Sequence, residues 1–219
     1  MDTDETDLFG EDEEENMTPD EAVKQMTMSW QNEICAPCLL PTKYDLVDIL
    51  LDQIQGMEES LANQTNKAQL RISVHRMDLQ RINYVTSDYI RCRLRKIEAN
   101  PNEAIAQHEH RKSEDLPDLL SENEMKFAKE YARAEAELFD RTVLESLPAA
   151  LKKISVPEMR LDDEMVYCKV LENEIGNISI PDWSDLNAEV ILEMEKDSVH
   201  LIPFVSVKQQ VEDGTIQLL

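Results

Sequence analysis

Glycine is scarce in this chain, with four residues in 219. That scarcity excludes the glycine-rich loops that cradle phosphates in nucleotide-binding folds. Aromatic residues make up only 5%, and long runs of Glu, Lys, Leu, Met and Gln suit helices better than a sheet-dominated enzyme. No apolar run approaches the roughly 18 residues of a membrane span, and the acidic N-terminus is unlike the basic start of a secretory leader. Four cysteines do not describe a disulfide scaffold, so a soluble chain in a reducing, intracellular compartment is expected. Positive charge is also in short supply: 22 Lys and Arg face 46 Asp and Glu, a net −24. A bare phosphate backbone repels such a chain, so neither autonomous DNA binding nor attachment to an anionic membrane is expected.

What the chain does have is uneven. Nine acids and no base fall in the first fifteen residues, MDTDETDLFGEDEEE. Residues 1–16 hold too little apolar surface to offset ordering entropy and read as a disordered acidic tail. Order is expected from Thr18-Pro19-Asp20-Glu21, where a hydroxyl N-cap precedes proline at the first helical position and an acid three residues on. Ala22, Val23, Met26 and Trp30 continue that helix until Ala36-Pro37. A second helix is predicted over about Thr42–Leu61, with Val47, Leu50, Leu51, Ile54, Met57 and Leu61 on one face.

The third predicted helix, from about Asn66 to Ala99, carries two apolar stripes. One contains Leu70, Val74, Met77, Tyr84, Val85, Tyr89 and Cys92; the other, nearly opposite, contains Ile72, Leu79, Ile90, Leu94 and Ile97. Such a helix is either the centre of one bundle or a bridge between its own domain and a partner. Asn100-Pro101 reads as its end, and residues 99–118 as a mobile loop. Ser121-x-x-Glu124 opens a further helix that should stop near Pro148.

Residues 17–147 therefore read as a helical domain and 148–163 as a linker. After the linker the apolar period shortens, with strands expected at 165–171, 188–192, 200–202 and 215–219 and a short helix over Val205–Val211. This β-rich unit, 164–219, is near the lower size limit for independent stability and needs something to dock on. The fold class is mainly α, a helical bundle followed by a small β-rich domain.

Candidate chemistry is sparse. Cys35-Ala36-Pro37-Cys38 has the spacing of a redox pair or half a zinc site, but it follows a helix and lacks further spaced ligands, so packing residues in a turn are the favoured reading. His75, His108, His110 and His200 form no base–nucleophile pattern, and no carboxylate pair stands out as an acid–base couple. No metal and no cofactor is expected.

Residues 67–96 are a basic island: Lys67, Arg71, Arg76, Arg81, Arg91, Arg93, Arg95 and Lys96 against Asp78 and Asp88. Pairing with neighbouring acidic helices, recognition of another subunit and nucleic-acid contact all remain open for it. In the tail, Asp7-Leu8-Phe9 sets an aliphatic–aromatic pair among acids, which suits either a short docking motif or a merely solvated tail.

The stretch Arg71-Ile72-Ser73-Val74-His75-Arg76-Met77-Asp78, continuing through Arg81-Ile82-Asn83-Tyr84-Val85 to Tyr89-Ile90-Arg91-Cys92-Arg93-Leu94-Arg95-Lys96-Ile97-Glu98, resembles the signature helix of the Sld-five family of GINS complex subunits. Trp30-Gln31-Asn32-Glu33 with Ala36-Pro37 and Leu39-Leu40 is similar to that family's first helix and turn, and His200-Leu201-Ile202 with 214–219 to its closing strands. The acidic tail and 99–118 lie outside the similarity, and the two cysteines of the turn are not part of the family pattern.

The resemblance implies a helical A domain, a small B domain, and a heterotetramer with three Psf subunits. It implies a non-enzymatic, nuclear role in which that tetramer joins the MCM ring and the Cdc-forty-five protein in the replicative helicase. It also implies that the N-terminal segment, through Asp7, Leu8 and Phe9, docks on a replisome hub linked to DNA polymerase alpha. The subunit interface is then expected on the long helix, at Ile72, Leu79, Tyr84, Tyr89, Ile90, Arg91, Arg93, Leu94 and Ile97. The alternatives are a thiol-redox protein using the Cys35–Cys38 turn and a stand-alone acidic adaptor.

Overall fold

The computed structural model describes residues 17–63, 70–148, 151–152, 161–172, 176–181 and 189–219. The acidic tail, with Asp7, Leu8 and Phe9, lies outside the described residues, as does most of the expected linker.

Helix α1 spans Pro19–Cys35. The Thr18 hydroxyl accepts from the Glu21 backbone N–H while the Glu21 carboxylate accepts from the Thr18 N–H at 3.0 Å, so two orphan donors are satisfied reciprocally. Helix α2, Tyr44–Ala62, follows Pro41 and starts without a side-chain cap. Helix α3, Leu70–Ala99, is 30 residues long, or about 45 Å at the usual rise.

The loop expected over 99–118 is corrected: helix α4 occupies Pro101–Ser113. Asn100 is its N-cap, accepting from the Glu103 N–H, and Pro101 sits in the first turn, where a missing N–H costs nothing. The Asn-Pro pair thus ends one helix and starts the next. Helix α5, Glu122–Thr142, opens on the expected Ser121–Glu124 capping box.

Among the described residues, the C-terminal part holds five short strands and one α-helix. Strands β1 (Met165–Val170), β4 (Val199–Pro203) and β5 (Ile216–Leu218) form an antiparallel sheet in the order β4-β1-β5, with Tyr167 opposite Leu201 and Cys168 opposite Leu218. Helix α6, Phe204–Glu212, joins β4 to β5 through a turn at Gly214, whose φ of +80° favours glycine. Strands β2 (Asn177–Pro181) and β3 (Glu189–Glu193) make a separate antiparallel pair. Sequence reading missed β2, whose apolar content is only Ile178 and Ile180 between polar residues.

Helix α3 is the centre of the bundle. Its N-terminal half packs Ile72 and Leu79 on Ile54 and Leu61 of α2. Its middle brings Tyr89 into a core with Ala22 and Met26 of α1 and Leu46, Val47 and Leu50 of α2. Its C-terminal end sets Ile97 against Leu39, Ala104 of α4, Leu119, Leu120 and Ala128 of α5.

The β unit has a core of its own around Val166, Cys168, Ile202, Phe204, Val207, Ile216 and Leu218. That core is continuous with Ala36, Cys38 and Leu40 from the turn after α1. The Asn32 side-chain oxygen accepts from the Leu218 N–H at 2.8 Å, and Arg111 of α4 grips Glu212 of α6 with two hydrogen bonds of 2.9 and 2.8 Å. The β unit, near the lower size limit for independent stability, thus rests on the end of α1, the following turn and α4.

Candidate interaction surface on the long helix

Arg93 has no exposed surface, yet it is the largest charged group in the core. Its five N–H donors meet five acceptors: Glu124 Oε1 and Oε2 at 2.7 and 3.0 Å, Glu33 Oε2 at 3.1 Å, and the carbonyls of Leu40 and Leu119 at 2.7 and 2.6 Å. The guanidinium also lies 5.6 Å from the Tyr89 ring centroid. Burial alone pushes the Arg93 pKa down, but the Glu124 hydrogen bonds and the Glu33 charge outweigh it and leave Arg93 above its ordinary value. Lys96 completes the cluster, donating to Glu33 Oε1 and to the Cys38 carbonyl at 2.8 Å each. One arginine of α3 therefore ties together α1, the turn that carries the β unit, the segment before α5, and α5 itself.

The residues expected to face another subunit divide on the two sides of α3. Ile72, Leu79, Tyr89, Arg93 and Ile97 are at most 5% exposed within their own chain. For these five the interface expectation is corrected, because a side chain with no free surface has nothing to offer a partner. Ile90 and Leu94 are half-buried flanking residues, packed against the cores of α1–α2 and α4–α5. Tyr84 and Arg91 point outward.

The outward side of α3 is built largely from the other stripe. Leu70 is 80% exposed, Met77 68%, Tyr84 57% and Val74 47%. With Arg81, Asp88, Arg91 and Arg95 they form one ridge, Leu70-Val74-Met77-Arg81-Tyr84-Asp88-Arg91-Arg95, at alternating steps of four and three residues. That spacing keeps a seam straight along a packed helix pair. Trp30 of α1 braces the ridge: its ring meets Tyr84 edge-on at 6.4 Å, and its Nε1–H donates to Asp88 at 3.0 Å. Arg81, Arg91 and Arg95 are exposed and make no ion pair with a described residue.

Sequence reading missed Arg93 as a core residue, although Thr86, Tyr89, Arg93 and Ile97 share one arc of the helix. Glu33 and Glu124 carried a similar signal, lying seven residues from Met26 and four from Ala128 respectively.

The remaining candidates lie apart from this surface. Burial pushes the Cys35 thiol up, with Lys96 offsetting part of the effect, and burial likewise raises Cys92 and Cys168. A redox nucleophile needs the opposite shift. Among the described residues no group of three or more His, Cys, Asp or Glu is placed to hold a metal ion, and no helix is long and apolar enough to cross a membrane.

His108 accepts the Leu120 N–H on Nδ1 at 3.1 Å, and His75 accepts from Arg71 at 3.4 Å. His110 meets Glu114 at 3.5 Å. His200 Nε2 lies 2.7 Å from the Ser198 hydroxyl, which already donates to the Glu195 carbonyl and so is not a proton donor to the imidazole.

These features define a helical-bundle protein with a small antiparallel β unit seated on it, held by a buried ionic centre and open along one side of its longest helix. A family model described as the GINS complex protein helical bundle domain matches residues 48–142, and one described as the DNA replication complex GINS protein SLD5 C-terminus matches 162–219. Proteins named DNA replication complex GINS protein SLD5 are similar along nearly their whole length. The Mus musculus protein is 36% identical over 97% of this chain and 98% of its own, and the Homo sapiens protein 33% over 99% and 100%. The Arabidopsis thaliana protein is 29% identical over 90% of each. The chain belongs to the SLD5 family of GINS complex proteins.

Proposed function

We propose that this chain is a non-catalytic structural subunit of a GINS heterotetramer with three Psf subunits. In the nucleus that tetramer joins the MCM ring and the Cdc-forty-five protein in the replicative helicase, for initiation and elongation of DNA replication. The observation that carries the reading is the open ridge of α3, an apolar and cationic seam on a member of a family named for a complex. Water-exposed leucine, methionine and tyrosine at heptad spacing mark a surface that another helix covers. The net −24 fits a fork component that grips other proteins and leaves DNA to its partners.

Within this reading, 17–147 is the A domain, 148–163 a linker and 164–219 the B domain. The acidic tail 1–16 works separately, with Asp7, Leu8 and Phe9 docking on a replisome hub linked to DNA polymerase alpha: acids steer the encounter and the apolar pair anchors it.

Coexpression of the full chain with the three Psf subunits, followed by native mass measurement, tests the assembly. A one-to-one-to-one-to-one tetramer is expected; a chain that stays alone at full yield overturns it. Leu8→Ala with Phe9→Ala should leave the tetramer intact and weaken hub binding, and unchanged affinity removes the docking role. The thiol-redox alternative requires a low thiol pKa at Cys35, which burial opposes.

A further inference from the structure

Resting on the reading that α3 is a subunit interface, we infer that its ridge selects an acid-bearing apolar helix of a different chain and rejects a second copy of this one. The ridge is polarised along its length. Leu70, Val74 and Met77 occupy one end and Arg91 and Arg95 the other, with Arg81, Tyr84 and Asp88 between them.

The chain carries 46 acids, yet the described residues offer no carboxylate to Arg81, Arg91 or Arg95. Asp88, the one acid on the ridge, is turned to Trp30. Three guanidiniums beside apolar surface call for counter-charges from outside, and arginine pairs carboxylates with its planar fork. The matching helix therefore bears apolar side chains at heptad spacing over about two turns and at least two carboxylates beyond them. A nucleic acid would satisfy the arginines but leave Leu70, Val74 and Met77 in water.

Self-pairing fails in either direction. Parallel copies set Arg91 on Arg91 and Arg95 on Arg95. Antiparallel copies set Arg95 on Leu70 and Arg91 on Val74, burying guanidinium against hydrocarbon with no counter-ion. Both directions also bring two chains of −24 together. The ridge thus carries its own exclusion of the homodimer.

The test uses the full chain coexpressed with the three Psf subunits. A photo-crosslinking residue placed at Met77 should label an apolar stretch of one sister subunit. The same probe at Arg95 should label that same helix within a turn of two or more acids. Arg91→Glu with Arg95→Glu, both at exposed positions, should keep the helix content and melting temperature of the parent chain and lower tetramer yield about tenfold or more. Reversing the labelled acids to lysine should restore it.

Crosslinks to another copy of this chain, or to residues 1–16 of the same chain, overturn the inference. So does unchanged yield of the double variant, or salt-sensitive binding of duplex DNA by the full chain that the double variant loses. If the parent chain itself forms no tetramer, the proposed function falls and this inference with it. A parent tetramer matched in yield by the double variant removes this inference alone.

Discussion

Arg93 and Glu124 form a two-pronged ion pair sealed from solvent, with Nε 2.7 Å from Oε1 and Nη2 3.0 Å from Oε2. Neither residue lies on a surface, and each comes from a different helix, so the pair fixes α5 on α3 at one register. Its value to stability rests on completeness, since every guanidinium N–H has an acceptor. Arg93→Met leaves Glu33 and Glu124 buried without their main counter-charge and should cost about 3–5 kcal/mol in urea unfolding. Arg93→Lys should recover little of it, because an ammonium has three donors and no planar fork. A loss under about 1 kcal/mol for Arg93→Met would mean that water enters the site.

Arg111 and Glu212 form the corresponding link between the bundle and the β unit, with about a tenth of each side chain exposed. Arg111→Ala should destabilise by about 1–2 kcal/mol, as expected for a largely buried, charge-assisted pair. Its signature is local: amide exchange should quicken in α6 and β5 and stay unchanged in α2. Uniform quickening throughout the chain would mean that the two parts open together.

The outline of the fold was legible because the sequence marks its helix starts chemically. Thr18-Pro19 and Ser121-x-x-Glu124 placed the starts of α1 and α5 to within a residue, although α5 stops at Thr142, short of the expected Pro148, and the shortening of the apolar period placed the β unit. Asn100-Pro101 misled because proline ends one helix as readily as it begins another, and only the chain's path after Ala99 decides which. The exposed side of α3 was half legible for a related reason. Periodicity found both stripes of α3 but not which side faces inward, and Arg93, outside both stripes, looked like surface until Glu33 and Glu124 closed on it. Those partners are 60 and 31 residues away, beyond any local pattern.

Asn100 now has a structural task, capping α4 by accepting the Glu103 N–H. Asn100→Ala should cost about 1 kcal/mol and Asn100→Gly only a few tenths. Helical signal should be lost at α4 alone, read by amide exchange over 101–105. Equal costs for the two substitutions would show that the cap contributes nothing.

The thiols should behave as core residues. With Cys35, Cys92 and Cys168 all pushed above their ordinary pKa by burial, alkylation of the folded chain at neutral pH should run more slowly than that of free cysteine. Unfolding in urea should bring the rates together. A thiol in the folded chain that outpaces free cysteine would revive a redox role.

Tyr89 gives the chain a measurable response to alkali. Burial pushes its phenol up, the Arg93 charge pulls it partly back and Glu33 adds to the rise, so it reaches about 12 against an ordinary value of 10. Above pH 10 the unfolded chain gives up this proton while the folded chain keeps it, so the folded state binds more protons and stability falls as pH rises. The contribution is complete below pH 10 and lost between 10 and about 12, amounting to about 3 kcal/mol at most. Tyr89→Phe removes the titrating group and also the acceptor for the Lys43 N–H, which lies 3.2 Å from the hydroxyl. The variant should therefore be weaker by about 1 kcal/mol at neutral pH, and the difference should shrink and then reverse as pH climbs past 10. Lysine titration affects both proteins alike and cancels in the comparison. Urea midpoints that fall in parallel for the two proteins would mean that the phenol meets water in the folded chain.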